Sequence, residues 1–253
     1  MHSCIHPFSI IVWHNCAQSG LTLSIVVQLS EMLRNRIPVI YRTLDQNYFN
    51  DVLKIIKSHY IKREPQCLAL KVTENMATMV ANLFLKEILS EKLSIGAFDK
   101  KTNELIAIHI VGRFMDLTEF GFDKHLSLPL RQNREITKTL FKGWSKLSDK
   151  NTKNSVQYYI TCIKERYSRQ SIPTEMNEQT QEIALKMGFT KICVIATNHY
   201  IQKSLKRCGF SFVNEIQYAD YVDPITGKQI FKCIPFPHTF MGLAIKELAT
   251  SKL

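Results

Sequence analysis

Glycine is scarce in this chain, with nine residues in 253 and none between Gly143 and Gly188. Glycine supplies the permissive backbone on which phosphate-binding loops usually depend, so glycine-rich nucleotide loops are excluded from that stretch. Long basic runs are also missing, because no five consecutive residues are lysine or arginine. This absence argues against a nucleic-acid-binding tail.

Paired cysteines are absent too. The seven cysteines include no CxxC pair and their number is odd, which predicts a reducing compartment and neither a zinc site nor a disulfide framework. We therefore expect a cytoplasmic protein without a bound metal.

No unbroken apolar run is long enough for a membrane span. The fairly apolar segment Phe8–Leu29 is interrupted by His14, Asn15, Gln18 and Ser19, and no lysine or arginine precedes it. A secretory signal needs a basic start and an unbroken core, and a spanning helix needs about 20 apolar residues. We expect residues 1–36 to be an extension of unassigned type, with a membrane role as the lesser alternative.

The remaining composition is that of a folded, basic protein. Hydrophobic residues make up 45% of the chain, enough for one sizeable core, and we expect residues 37–253 to form a single domain. The 33 basic and 22 acidic residues leave a formal charge of +11. Such a charge favours anionic partners, namely a phosphorylated cofactor, nucleic acid or a membrane surface, although it also describes an ordinary basic surface. Nucleic acid has no supporting motif.

Periodicity predicts an α/β fold, with a mixed sheet covered by helices in the order β-α-α-β-β-(α)-β-α-β-α-β-β-α. Glycines at the ends of two helices, Gly188 and Gly209, read as helix caps. The strands are predicted at Ile37–Leu44, in a hairpin over Leu93–Val111, and at Val156–Ile163, Lys191–Ala196, Ser211–Tyr221 and Gln229–Ile234. Arg113–Ile136 reads as a loop, with helices near Thr137–Leu147 and Thr239–Leu248.

One stretch, Glu165–Met176 (ERYSRQSIPTEM), occupies a position at which proteins often hold phosphate. It joins a strand to a helix start, where unpaired amides and the helix dipole favour anions. The stretch is basic but lacks glycine, so it reads either as an anion site or as a plain basic loop.

The segment Val156–Phe210 resembles the acyl-coenzyme-A-binding core of the GNAT acetyltransferases: strand, basic turn, helix, Gly-Phe, strand, polar turn, helix, Gly-Phe. Downstream, Asn198–Tyr221 and Phe231–Leu248 resemble the insect arylalkylamine N-acetyltransferases, a group that includes the dopamine and serotonin acetyltransferases. Tyr60–Pro65 (YIKREP) resembles the acidic-proline motif of that family. The resemblance covers roughly residues 37–248 and is weak between 113 and 155.

The resemblance implies a GNAT fold and transfer of an acetyl group from acetyl-CoA to a small arylalkylamine, with two catalytic positions. Glu64 falls at the family's general base, a role in which a partly buried carboxylate takes the ammonium proton of the amine. Thr197 falls at the first of two serines proposed to assist, whereas Ile201 at the second cannot move a proton. Leu205, where some relatives have a tyrosine acid, cannot donate a proton either, so Thr197, Tyr200 or water would have to protonate the departing thiolate.

The resemblance also implies how the acetyl-CoA would be held. The strand before the turn would diverge from its neighbour and leave backbone groups for the pantetheine arm, while amides at the helix start hold the pyrophosphate. Carried over by position, the cofactor-binding residues are Cys162, Ile163, Lys164, Arg169, Gln170, Ser171, Ile172, Pro173, Thr174, Asn198 and Tyr200. Aromatic residues that could stack on the amine are Tyr60, Phe114, Phe120 and Phe122.

The phosphate turn departs most from the family pattern. Ser171 replaces a glycine, and Pro173 has no N–H to offer. Lys164, Arg166 and Arg169 could compensate, because charge-assisted hydrogen bonds are stronger than neutral ones. The alternative is a catalytically impaired GNAT-fold protein that binds a ligand or a partner. The particular amine and the oligomeric state are left open.

Overall fold

A twisted sheet of seven strands organises the parts of the chain that the computed structural model describes, residues 37–114, 126–142, 154–168 and 170–248. The strand order is β1-β2-β3-β4-β5-β7-β6, and every neighbouring pair is antiparallel except β4 with β5. This mixed sheet confirms the predicted fold class. The strands are β1 (Val39–Thr43), β2 (Ile95–Asp99), β3 (Leu105–Arg113), β4 (Ser155–Ile163), β5 (Lys191–Ala196), β6 (Ser211–Gln217) and β7 (Phe240–Glu247).

Helices cover both faces of the sheet. On one face lie α1 to α4, which pack on Ile108 and Ile110 of β3 and on Leu243 of β7. On the other face, α5 and α6 pack on Val156 and Ile192. The helices are α1 (Phe49–Ile55), α2 (Pro65–Ala69), α3 (Glu74–Ser90), α4 (Leu128–Phe141), α5 (Ile172–Lys186) and α6 (His199–Arg207).

Local sequence signals explain the first helical segment. The Asp45 carboxylate accepts a hydrogen bond from the amide of Asn47 at 2.9 Å and so caps the short 3-10 turn Gln46–Tyr48 that leads into α1. After α1 the chain continues for one wider π-helical turn, Ile56–Tyr60, in which the Ile61 amide reaches the Ile56 carbonyl at 3.1 Å. Such turns contain one surplus residue.

The two predicted glycine caps are confirmed. Gly188 follows α5 with φ +84° and Gly209 follows α6 with φ +80°, the left-handed conformation that favours glycine. The predicted extension, residues 1–36, lies outside the described ranges.

The prediction for α4 was wrong. The helix begins at Leu128, within the segment read as a loop, and ends at Phe141, while residues 143–147 of the predicted helix lie outside the described ranges. Ser127 at the N-cap position and proline in the first turn are start signals that the sequence did contain. The helix is mostly polar, with Ile136 and Leu140 as its buried apolar residues, so the sequence offered few hydrophobic positions to mark it.

The predictions for the last two elements were also wrong. The segment Gln229–Ile234 is irregular, and its Phe231 is buried against two tyrosine rings rather than in a strand. Residues 240–247 form β7, not a helix, although their local propensity favours a helix. Pairing on both sides, with β5 and with β6, overrides that propensity. The consecutive buried residues Met241–Ala244 fit a strand covered on both faces.

Candidate active site

A cavity of about 340 Å³ opens between the sheet, the π-helical turn Ile56–Tyr60 and helices α2, α3 and α4. Its wall is mostly hydrocarbon, with Val80, Phe84 and Ile110 among the lining residues. It also reaches Tyr159 on β4 and Thr197 just after β5. The cavity therefore extends from the helical layer to the middle of the sheet.

The cavity meets the sheet at the point where β4 and β5 separate. The two strands pair only from Ser155 with Lys191 to Tyr158 with Val194. Beyond this point β4 contains a β-bulge at Tyr159, because Ile110 and Val111 of β3 face Ile160 and Tyr158 respectively. The predicted divergence of the strand before the basic turn is confirmed.

The separated part of β4 offers backbone groups to the wedge between the strands. The Lys164 amide donates to the Ile106 carbonyl at 2.9 Å, and alternation along an antiparallel pair then turns the backbone groups of Thr161 and Ile163 away from β3. The Arg63 guanidinium donates to the Ile163 carbonyl and lies 3.5 Å from the Cys162 sulfur. Cys162 is 5% exposed, and by the same alternation its backbone groups face β3, so the structure does not place it to contact a ligand in the wedge.

Glu64 projects into this cavity from the start of α2. Its Oε2 accepts a hydrogen bond from the Cys67 amide at 2.8 Å, which caps the helix. Its Oε1 is buried and has no hydrogen-bond partner among the described residues. Burial raises the pKa of Glu64, and the Thr197 side chain and the Cys67 amide lower it in part. The result is a carboxylate with one oxygen available and an increased affinity for a proton.

Thr197 lies beside this carboxylate, on the same cavity wall. Its backbone carbonyl accepts a hydrogen bond from the Tyr218 hydroxyl at 2.6 Å, which fixes the residue after β5. The two residues assigned as catalytic from sequence, Glu64 and Thr197, are therefore brought together. Ile201 and Leu205 instead pack on the opposite face of the sheet, in the core under α6, and neither lines the cavity.

The glycine-poor turn has an unusual geometry. Ser171 precedes α5 with φ +29°, a positive value that is costly for a residue with a side chain. Ile172 is fully buried, and Thr174 is exposed in the first turn of the helix. Pro173 leaves a gap in the row of N-terminal amides. Gln170 is partly buried, and Arg169 lies outside the described residues.

Acidic side chains accompany this turn. Glu104 binds two of the three basic residues expected to compensate for the missing glycines: its Oε1 is 2.6 Å from Lys164 Nζ, and its Oε2 contacts Arg166. These contacts, led by the one with Lys164, lower the pKa of Glu104. Glu175, in the first turn of α5, accepts a hydrogen bond from the Tyr41 hydroxyl at 2.6 Å. Much of the local positive charge is thus paired within the protein.

The two remaining residues assigned to the cofactor lie at the start of α6. The Asn198 side chain caps that helix by accepting from the Ile201 amide at 3.0 Å. The Tyr200 side chain is 67% exposed, and its ring lies 5.8 Å from that of His199 and 5.6 Å from that of His238. Asn198 has a structural role as a cap, while Tyr200 is open to a ligand.

Four aromatic residues were predicted for the amine pocket. Of the two that the structure describes, Tyr60 lines the cavity and Phe114 does not. Phe114 packs on Phe141 of α4, with 5.7 Å between ring centroids, and Phe120 and Phe122 lie outside the described residues. Sequence reasoning missed Phe84 on α3 and the contribution of α4, because it placed a loop where α4 begins.

Searches with the sequence alone found no match: no family model and no curated protein matches this chain. Solved structures do match. Arylalkylamine N-acetyltransferase 2 from Aedes aegypti is 19% identical with a TM-score of 0.72, over 83% of this chain and 99% of that one. The polyamine N-acetyltransferase of Drosophila melanogaster, which forms N-acetylagmatine, is 13% identical with a TM-score of 0.70, over 83% and 100%.

A more distant match is the GNAT-superfamily phosphinothricin acetyltransferase of Sinorhizobium meliloti, in complex with acetyl-CoA. It is 10% identical, with a TM-score of 0.52 over 83% of this chain and 89% of that one. At these identities the likeness shows the fold alone, and this chain has the GNAT fold. The resemblance inferred from sequence is confirmed at that level.

Two further observations concern the described residues only. None of their helices combines the length and the apolar character that crossing a bilayer requires. They also include no group of three or more His, Cys, Asp or Glu side chains placed to hold a metal ion.

Proposed function

Since the chain has the GNAT fold, we propose that it is an N-acetyltransferase that moves an acetyl group from acetyl-CoA directly to a small arylalkylamine. The observation that carries this proposal is the Glu64 carboxylate. One of its oxygens is buried without a partner among the described residues, in a cavity that meets the opening between β4 and β5.

Glu64 is proposed as the general base. An arylalkylamine is protonated at neutral pH, and its nitrogen attacks only after losing a proton. A buried carboxylate with a raised pKa and a free Oε1 suits that transfer. Thr197 is proposed to orient the carboxylate, because its side chain interacts with Glu64 at the cavity wall.

The cavity wall supports an amine with one cationic nitrogen and an apolar body. Glu64 is the only carboxylate among the described lining residues, and most of the remaining wall is hydrocarbon or aromatic, including Phe84. A second charge, as in agmatine or a polyamine, would lie against apolar wall at a high desolvation cost. An aryl ring would instead gain apolar and ring contacts.

Acetyl-CoA is proposed to enter along the separated part of β4. The backbone of Thr161 and Ile163 faces the wedge there and suits the amides of a pantetheine arm. Its phosphates would lie at the turn before α5, near Gln170, Ser171 and Thr174. The carbonyl group of the acetyl thioester would be polarised by backbone amides of β4. We place the activity in the cytoplasm on the basis of the unpaired cysteines.

The alternative is a GNAT-fold protein that binds a ligand or a partner without turnover. Three observations favour it: the strained Ser171, the missing N–H of Pro173 and the pairing of Lys164 with Glu104. Each of them weakens the expected pyrophosphate site.

Calorimetric titration with acetyl-CoA, followed by a thiol-release assay, separates the two proposals. The assay panel pairs tryptamine and phenethylamine with agmatine and spermidine. Cofactor binding with turnover of the first pair supports the enzyme. Absence of binding at millimolar acetyl-CoA contradicts it, and preference for agmatine contradicts the assignment of the amine class.

A further inference from the structure

Neither Ile201 nor Leu205 can protonate the thiolate that leaves, and both face away from the cavity. The structure offers other hydroxyl groups near the point where β4 and β5 separate. Three tyrosines line the cavity: Tyr60, Tyr158 and Tyr159. A tyrosine hydroxyl is both donor and acceptor, so it can pass a proton between two reacting atoms.

Two of these hydroxyls are already engaged. The Tyr158 hydroxyl donates to Asn177 at 2.8 Å, on the α5 side of the sheet. The Tyr159 hydroxyl donates to the Arg113 carbonyl at 2.8 Å. The Tyr60 hydroxyl, in contrast, forms no hydrogen bond within the part of the chain that the structure describes. The Tyr60 side chain is only partly buried and lines the cavity, so its hydroxyl is open to a ligand there.

The position of Tyr60 is fixed by the backbone. It is the last residue of the π-helical turn Ile56–Tyr60, and its carbonyl accepts from the Glu64 amide at 2.9 Å. Tyr60 and Glu64 are thus linked by a backbone hydrogen bond and line one cavity. Burial, and then the negative charge of Glu64, raise the pKa of Tyr60, so a free tyrosinate is disfavoured.

We infer that Tyr60 is a second catalytic residue, which passes a proton from the attacking amine nitrogen to the departing sulfur. This inference rests on the proposed acetyltransferase function. Glu64 first takes one proton from the ammonium group. The nitrogen then bonds to the acetyl carbon, and the carbon–sulfur bond breaks.

The protons and electrons balance in that second step. The sulfur keeps the bonding electron pair and takes the Tyr60 proton, while the Tyr60 oxygen takes the second proton from the nitrogen. The products are the amide and free thiol, with the proton on Glu64 released to solvent. A concerted exchange of this kind never forms a free tyrosinate, consistent with the raised pKa.

The test is Tyr60→Phe, which removes only an oxygen without a partner among the described residues. With acetyl-CoA and the best amine, kcat should fall by about 10²-fold, while the KM of the amine stays within about twofold because the ring is kept. Tyr48→Phe is the matched control: its ring packs on Phe98 with 5.6 Å between centroids, outside the cavity, and its kcat should equal that of wild type.

A leaving-group comparison distinguishes proton transfer from positioning. With S-(4-nitrophenyl) thioacetate as donor, the departing thiol is more acidic, so its thiolate leaves with less need for a proton. The loss of kcat caused by Tyr60→Phe should then be at least about tenfold smaller. An equal defect with both donors, or a kcat above half of wild type with acetyl-CoA, overturns the role of Tyr60. If the wild-type chain acetylates no amine, the proposed function fails together with this inference. If wild type acetylates an amine and the Tyr60→Phe variant is equally active, only the inference about Tyr60 fails.

Discussion

Replacement of Glu64 by glutamine should lower the activity strongly while leaving the stability of the fold unchanged or higher. Glutamine keeps an oxygen that can accept from the Cys67 amide and so preserves the cap of α2, but it cannot take a proton. A general base contributes about 10²–10⁴-fold, so kcat/KM should fall by that factor, or about 3–5 kcal/mol in transition-state stabilisation.

The free energy of unfolding should respond differently. Wild type buries a carboxylate with an unpartnered Oε1, and a neutral amide costs less to bury than a charge. At pH 8 the glutamine variant should therefore be as stable as wild type, or more stable by about 1–2 kcal/mol. Because folding raises the pKa of Glu64, wild type loses stability as pH rises through that pKa. The advantage of the variant should thus vanish at lower pH, where Glu64 is protonated.

The assays are thiol release under saturating acetyl-CoA and urea unfolding at two pH values. Glu91→Gln serves as control, since burial also raises the pKa of Glu91 but its side chain binds the Arg113 amide outside the cavity. The control should retain full activity. The reasoning is refuted if Glu64→Gln keeps more than a tenth of wild-type kcat/KM. It is also refuted if the variant loses more than about 1 kcal/mol of stability, the worth of a helix cap, because Glu64 would then be a structural cap.

Three other outcomes follow from the same contacts. Wild-type kcat/KM should rise with pH through the raised pKa of Glu64, and a profile without that limb in wild type contradicts the assigned base. Glu104→Gln frees the two basic side chains it holds, so acetyl-CoA should bind more tightly by calorimetry, with a steeper salt dependence; unchanged affinity places the phosphates elsewhere. Gly242→Ala brings a Cβ to 2.6 Å from the Phe212 ring, so urea unfolding should show a loss of about 1–3 kcal/mol, whereas an unaffected midpoint contradicts the pairing of β6 with β7.

Much of the candidate site could be predicted because short motifs carry the family resemblance. Glu64 was assigned through the resemblance of the motif that ends at Pro65, and Thr197 through its position at the first of two family serines. Their proximity follows from the fold, which the resemblance implied and the structure confirms. The assigned roles of both residues stay predictions.

The failures have a common cause in long-range contacts. Residues 240–247 form a strand only because β5 and β6 flank them, and local propensity carries no trace of that pairing. Glu104, which pairs with Lys164, lies 60 residues away in sequence. The sequence around the basic turn therefore gave no sign that its positive charge is paired within the protein. The start of α4, by contrast, was encoded by Ser127 and the following proline and could have been read.

The wider turn at the end of α1 and the bulge in β4 have a shared consequence. Each contains a single surplus residue, and residues of both line the same cavity. Deleting one residue from Ile56–Tyr60 would rotate Tyr60 by about 100° around the helix, and deleting Tyr159 would exchange the two faces of β4 beyond it. The site is therefore encoded in chain length as much as in residue type. A chain with one residue fewer at either place would keep the same residue types around the site but would orient them differently toward the cavity.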